Sequence, residues 1–273
     1  MPAYDNTTSS ERPVCVITGA ASGIGAATAV EFARTLQARI VAADLQQVRL
    51  EALCRSISEA GGEAIGVEAD VRSPDECERV ARAALEAFGR IDVMHANAGM
   101  VDQSTIDGGD PARWRGVIET NLLGAAFSVR AVLPAMLRQG RGHVIFTASV
   151  SGRESYVGEP LYIASKWGLV GFGHALRKEV AERGIRVTLI EPGLVDTPFT
   201  RSSPVIAPLF DGPQPLLPED IARAVVYAFR QPDHVNVSEL VLVPLREREL
   251  TPEELERGLE ALEAERRRTG EPG

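Results

Sequence analysis

Apolar positions along this chain come in short runs, and longer amphipathic stretches separate them. Val14 to Thr18, Arg39 to Ala43, Ala64 to Ala69, Ile91 to His95, His143 to Thr147, Ile185 to Glu191 and Glu239 to Val243 read as strands. Between them, Gly23 to Leu36, Gln46 to Ala60, Pro74 to Phe88, Pro111 to Arg138, Tyr162 to Glu182 and Pro218 to Arg230 carry apolar residues at helical spacing. Ser73 predicts an N-cap and Gly89 a helix stop. Strand runs apolar throughout, each followed by a helix, predict an α/β fold: a doubly wound, Rossmann-type parallel sheet of seven strands with helices on both faces.

The pattern predicts a single domain over 13–245, with a polar, disordered lead-in at 1–12. Two segments stand outside the alternation. The stretch 194–217 is rich in Pro and Ser around an apolar middle, Val205 to Phe210, and predicts a mobile substrate flap whose Val205, Ile206, Leu209 and Phe210 line an apolar pocket. The stretch 246–273 is a charged helical tail; for Thr251 to Arg268 a solvated helix or frayed end is the leading expectation and a subunit contact the other.

Bulk properties exclude more than they assign. The 273 residues are 44% hydrophobic, enough for a sizeable core, with a net charge of -9 that argues against nucleic acid or an anionic membrane as partner. No run of 18 consecutive apolar residues occurs and the first dozen residues lack a signal-peptide core, so a cytoplasmic protein is expected. Asn6 and Asn236 then match the glycosylation pattern by chance. Cys15, Cys54 and Cys77 form no Cys-x-x-Cys pair, Cys15 reading as a buried hydrophobe. The four histidines lack metal-ligand spacing, so no metal is expected. Trp114 and Trp167 read as packing residues.

Chemistry enters with two features. Thr18-Gly19-Ala20-Ala21-Ser22-Gly23-Ile24-Gly25 follows the first strand and opens the first helix, where a glycine turn lets the backbone approach a pyrophosphate. Asp44, about twenty residues past the glycines at the end of the second strand, suits ribose hydroxyls and repels a 2'-phosphate, which favours NAD over NADP. No basic residue adjoins it: Leu45 follows. The second feature is Tyr162 and Lys166, four residues apart and on one helix face. Free tyrosine titrates at about 10, and a fixed cation beside it favours the phenolate.

With these residues together, the chain resembles the short-chain dehydrogenase/reductase family over residues 13 to 245. The glycine turn matches its Thr-Gly-x3-Gly-Ile-Gly, Asp70-Val71 its adenine-side pair, and Asn97-Ala98-Gly99 its Asn-Ala-Gly element. Ser149 takes the serine position, and Pro192, Gly193, Val195 and Thr197 resemble the segment that holds the carboxamide. The resemblance implies that Asn121, Ser149, Tyr162 and Lys166 are catalytic. Tyr162 is then the general base or acid, Lys166 lowers its pKa and binds the nicotinamide ribose, Ser149 bonds the reacting oxygen, and Asn121 holds a water that leads to the lysine. It implies cofactor contacts from Gly19, Ser22, Gly23, Ile24, Gly25, Asp44, Asp70, Val71, Asn97, Ala98, Gly99, Tyr162, Lys166, Pro192, Gly193, Val195 and Thr197.

A closer likeness, to ribitol (polyol) dehydrogenase-like members, rests on His95 to Gly99, Val144 to Ala148, Glu159 to Lys166 and Pro218 to Pro244. Gly158-Glu159-Pro160-Leu161 before the tyrosine departs from the Gly-Gln-x-Asn of many acyl-chain reductases. Ser149, Ser151, Arg153, Tyr156 and Tyr162, with Glu154 and Ser155, are the candidate substrate contacts. The expectation is an NAD-dependent oxidation of a secondary, sugar-type alcohol by a homo-oligomer, a tetramer or dimer. A ketone reductase of lipid or secondary metabolism, or a catalytically silent nucleotide-binding regulator, stands as the alternative.

Overall fold

The computed structural model describes residues 12–269; the expected lead-in at 1–12 lies outside them except for its last residue. Seven parallel strands line up in the order β3-β2-β1-β4-β5-β6-β7. They are β1 Val14–Thr18, β2 Arg39–Asp44, β3 Glu63–Glu68, β4 Val93–Ala96, β5 Gly142–Thr147, β6 Ile185–Pro192 and β7 Glu239–Leu242. The order reverses between β1 and β4, and the crevice at the carboxyl ends of those strands is where such sheets take ligands.

Helices α1 Gly23–Leu36, α2 Gln47–Glu59 and α8 Pro218–Phe229 cover one face, over a core that includes Phe32, Ile40, Ile57 and Ile145. On the other face lie α3 Pro74–Phe88, α4 Pro111–Ile118, α5 Gly124–Gln139 and α6 Pro160–Val180, around Met94, Phe146, Leu169 and Val187. Each fully buried side chain of this kind contributes about 1.5–3 kcal/mol. Local signals act as the sequence implies. Ser73 accepts from the Glu76 N–H, and Gly89 ends α3 at φ +76°.

Pro111–Gln139 is long and apolar enough by length and hydropathy to cross a membrane. It serves as a core helix instead, burying Val117, Ala125, Val129, Val132 and Met136. A π-turn, Glu119–Leu123, interrupts it between α4 and α5 and turns Asn121 inward.

The flap holds a short helix α7, Pro198–Arg201, capped by Thr197, and closes back through the bridge Val195–Leu216. Its Val205 is 3% exposed and Phe210 carries the Arg201 guanidinium on its ring at 4.0 Å. Helix α9, Pro252–Thr269, is not a free tail. Its Gly258 and Arg266 are buried, and Gly258 lies against Val205. The flap's apolar residue Val205 is thus covered by this helix rather than lining an open pocket. Asn236 holds the Val187 backbone, through both its amide oxygen and nitrogen at 2.8 Å.

Candidate active site

The glycine turn works by close approach. Gly19, at φ +62°, leaves no room for a side chain: a Cβ there would sit 2.7 Å from the Ala98 Cα. Asn97 ties the turn to the end of β4, donating to the carbonyls of Thr18 and Gly19 at 3.1 Å each. The Thr18 hydroxyl accepts the Asn97 and Ala98 N–H groups in return. Gly23, at φ +52°, faces Thr197 across the crevice. Gly25 is buried and packs the turn onto Asn97, so it supports the cradle from behind.

A cleft of about 470 Å³ runs along this edge. Gly19, Ser22, Gly23 and Ile24 line its start, with Asp44, Asp70 and Val71 at one end and Asn97, Ala98 and Gly99 in the middle. Pro192, Gly193, Val195 and Thr197 form the opposite wall, and Ser149, Tyr162 and Lys166 close the inner end. Asp44 is held in place: its carboxylate accepts from the Ala21 N–H at 3.0 Å and the Gln46 N–H at 3.1 Å. Arg72, not flagged in the sequence, lines the same end but pairs with Asp70 at 2.5 Å. That pairing holds the Asp70 carboxyl below its usual range.

At the inner end, Lys166 is buried and donates from Nζ to the Thr147 carbonyl at 2.9 Å. Burial lowers its pKa to about 8. The same Nζ lies 5.6 Å from the centre of the Tyr162 ring. In the protein alone the lysine does not win the tyrosine's titration. Burial first, then the charge of Glu159, push the phenol well above its ordinary value, and only the Ser149 hydroxyl opposes them. The expected lowering by Lys166 is absent in the protein alone, and desolvation governs the phenol, because a phenolate in this pocket loses its water. Thr147, which the sequence did not single out, is also the link to His95 Nε2, at 2.8 Å, and donates to Asn97 Oδ1 at 2.9 Å.

Asn121 is drawn to the same corner, but as a fastener. Its Oδ1 accepts from the Met100 N–H at 2.8 Å, and its Nδ2 donates to the Met100 carbonyl at 2.9 Å and to Ser165 Oγ at 3.0 Å. Both amide hydrogens are spent on protein, so the side chain positions the 99–100 loop and α6. A Cβ on Gly99 would lie 3.4 Å from Asn121 Oδ1 and 3.9 Å from Lys166 Nζ, which shows how near the two are.

The substrate-side expectations fare differently. Arg153 turns away from Tyr162 and pairs with Glu191 and Glu239 on β6 and β7. Its guanidinium satisfies the buried Glu191 carboxylate, a structural duty that outweighs a loop contact. Tyr156 is 46% exposed and donates to Glu154 outside the cleft. Ser151 is buried, its N–H bonded to Ser149 Oγ at 3.1 Å, so it orients the serine. Trp167 is half exposed rather than packed, whereas Trp114 donates to Ser104 Oγ at 3.1 Å. Phe199, also unflagged, lies on the flap with its ring 6.4 Å from that of Tyr162.

The sequence reading also passed over Asp102-Gln103-Ser104, three consecutive buried polar residues just past β4. Gln103 donates to Glu159 Oε1 at 2.8 Å and accepts from the flap's Ser203. A run of polar residues after a strand reads as an ordinary loop, and no spacing rule marks it.

The glycine cradle, the anchored Asp44 and the length of the cleft fit a dinucleotide. The lysine, tyrosine and serine at its far end fit proton transfer beside a reacting carbon. Fold and site together define an oxidoreductase that works with a nicotinamide cofactor. The short chain dehydrogenase family model matches residues 13–204, and the chain belongs to that family. An uncharacterized oxidoreductase of Staphylococcus saprophyticus is 36% identical over 233 residues, covering 85% of this chain and 97% of the relative. An alcohol dehydrogenase from the archaeon Thermococcus sibiricus, solved with 5-hydroxy-NADP, superposes with a TM-score of 0.79 at 29% identity, over 88% of this chain and all of that one. A metagenomic short-chain oxidoreductase in complex with NADP is similar at a TM-score of 0.74 and 32% identity, over 86% and 98%.

Proposed function

We propose that this protein interconverts a secondary alcohol and its ketone, preferring NAD(H), with a sugar alcohol as the substrate class. The observation that carries the reading is the meeting of Ser149, Tyr162 and Lys166 at the inner end of the cleft whose other end is the anchored Asp44. When bound, the nicotinamide cofactor takes or returns the hydride. Gly19, Ser22, Gly23 and Ile24 would cradle its pyrophosphate at the α1 N-terminus, and Asp44 would accept from the adenosine ribose.

Tyr162 takes the alcohol proton in one direction and gives it back in the other. Ser149 donates to the reacting oxygen, where charge changes as hydride moves. Lys166, fixed on Thr147, supplies a cation near the phenol and the ribose. The carboxylate of Asp44 disfavours a 2'-phosphate, and Arg72, which lines that end, is spent on Asp70. The polyol reading rests on the likeness around Glu159 to Lys166, and on Glu159 itself. Its Oε1 accepts from Gln103 and its charge acts on Tyr162, so a polar, hydrogen-bonded side chain stands beside the phenol. Phe199 favours a second reading, a less polar ketone reduced at the same site.

Tyr162→Phe is the direct test. It should keep NADH binding, followed by nicotinamide fluorescence, and lose about 10²–10⁴-fold in turnover. A panel of pentitols, hexitols and apolar secondary alcohols with each cofactor separates the substrate readings. No NAD-linked oxidation of any pentitol or hexitol sinks the polyol. Equal, undetectable turnover in wild type and variant across the panel favours the silent nucleotide binder. We further infer a cytoplasmic homo-oligomer joined through α5 and α6. Leu123, 40% exposed just ahead of α5, and Trp167, 51% exposed on α6, supply apolar area there, and light scattering reads the mass.

A further inference from the structure

Helix α9 is amphipathic in an ordered way. Leu255, Leu259, Leu262 and Arg266 recur at three- and four-residue steps, with Glu254 and Gly258 beside them; Gly258 and Arg266 are buried and the other four half-buried. Glu253, Glu256, Arg257, Glu260, Arg267 and Arg268 stay exposed. The shielded face is spent inside the same chain, on three segments. Leu255 and Leu259 come within 3.5 Å and 3.6 Å of where a Cβ on Gly158 would lie, in the turn just before Tyr162. Gly258 sits so close to the flap that a Cβ would be 2.7 Å from the Val205 Cα. Arg266 reaches the loop after β4, where it meets Asp102 Oδ1 at 2.5 Å.

That last contact is a pin. Asp102 is 1% exposed, and its carboxylate also takes Arg113 Nε at 2.8 Å and Ser104 Oγ at 2.7 Å. Its neighbour Gln103 holds Glu159 and the flap's Ser203, and the Ser104 N–H donates to the Gly158 carbonyl at 2.8 Å. The three segments beneath α9 follow β4, β5 and β6 at their carboxyl ends, the side on which such sheets bind ligands. The family model ends at residue 204, before this helix.

We propose that α9 is the outer wall of the alcohol site, and that Arg266, pinned on Asp102, is a positioning residue that sets which alcohols this enzyme accepts. The inference rests on the alcohol–ketone reading of the site. The wall acts through what it holds. With Arg266 in place, the flap, the Gly158 turn and the Asp102-Gln103-Ser104 run share one arrangement around Tyr162. Without it, Asp102 keeps a buried charge with one partner fewer, and the flap loses its backing.

The test uses the full chain carrying Arg266→Met, with Arg266→Lys as the conservative control. The expected result is a KM for alcohols raised tenfold or more and a ranking shifted toward bulkier alcohols. The NADH dissociation constant should stay within twofold of wild type, and Arg266→Lys should recover part of the loss. Unchanged alcohol KM and ranking overturn the proposal, as does a parallel loss of cofactor and alcohol binding, which marks a merely structural helix. If Arg266→Met fails to melt cooperatively, Gly258→Ala displaces the helix from Val205 by a single methyl and is judged by the same readings. Should wild type oxidise no alcohol, the functional reading fails by itself. Hydrogen exchange then decides the wall: faster exchange at 153–159 and 198–211 in Arg266→Met supports it, and unchanged exchange overturns it.

Discussion

The Lys166 ammonium donates to the main-chain carbonyl of Thr147 at 2.9 Å, so the helix that carries the tyrosine is tied to the end of β5 by its own lysine. The tie holds a buried cation, whose pKa falls from 10.5 to about 8. Since the unfolded chain binds this proton more tightly, Lys166 adds stability above pH 10.5 that is lost as pH falls through about 8. Comparing urea unfolding of wild type and Lys166→Met isolates it from other groups. The wild type should gain on the variant by about 3 kcal/mol from pH 7.5 to 10.5. A constant difference over that range contradicts the buried-cation picture.

Tyr162 is a neutral phenol in the protein alone, held so by burial and by Glu159. Alcohol oxidation needs the phenolate and should rise with pH toward its midpoint, while ketone reduction needs the phenol and should stay level until alkaline pH. Glu159→Gln removes the charge and leaves an amide oxygen for Gln103. Its oxidation profile should move to lower pH, read from kcat/KM against pH. A profile that stays in place means the carboxylate is too well solvated to act on the phenol.

Asp44 predicts its own cofactor switch. Removing its charge in Asp44→Asn should weaken NAD binding modestly and tighten NADP, shifting the preference by about tenfold or more, since tenfold is only about 1.4 kcal/mol. Titration with both cofactors measures it. A wild type that already prefers NADP would mean that Arg72 leaves Asp70 to meet the phosphate.

His95 sets an acid limit. It is fully buried, and burial drops its pKa from 6.5 to about 3. Its stabilising share is whole above pH 6.5 and is lost as pH falls from there toward 3. Melting temperatures of His95→Gln should therefore fall less than those of wild type between pH 6.5 and 4, with Thr147 still offered a partner.

The strand and helix spans were legible because each is a local pattern: β1, α1 and α3 begin and end where apolar spacing, Ser73 and Gly89 place them. The glycine turn was legible for the same reason, since its glycines answer to a close approach that the strand-to-helix context already implies. Arg153 was misread because its partners, Glu191 and Glu239, are distant in sequence and become neighbours only when β6 and β7 pair. The helical tail showed its apolar stripe only weakly among its charges, and nothing local marks Asp102 as the anion that Arg266 meets 164 residues later.

The sequence by itself determined the parallel sheet, the glycine turn after β1 and the pairing of Tyr162 with Lys166 on one helix, because periodicity and short spacing encode local geometry. Tertiary structure decided which of those groups meet and how they titrate. It set Lys166 on Thr147, spent the Asn121 amide on Met100 and Ser165, let burial and Glu159 raise the Tyr162 phenol, and folded α9 over the flap. Those outcomes depend on desolvation and on contacts between distant segments, which exist only once the chain has closed.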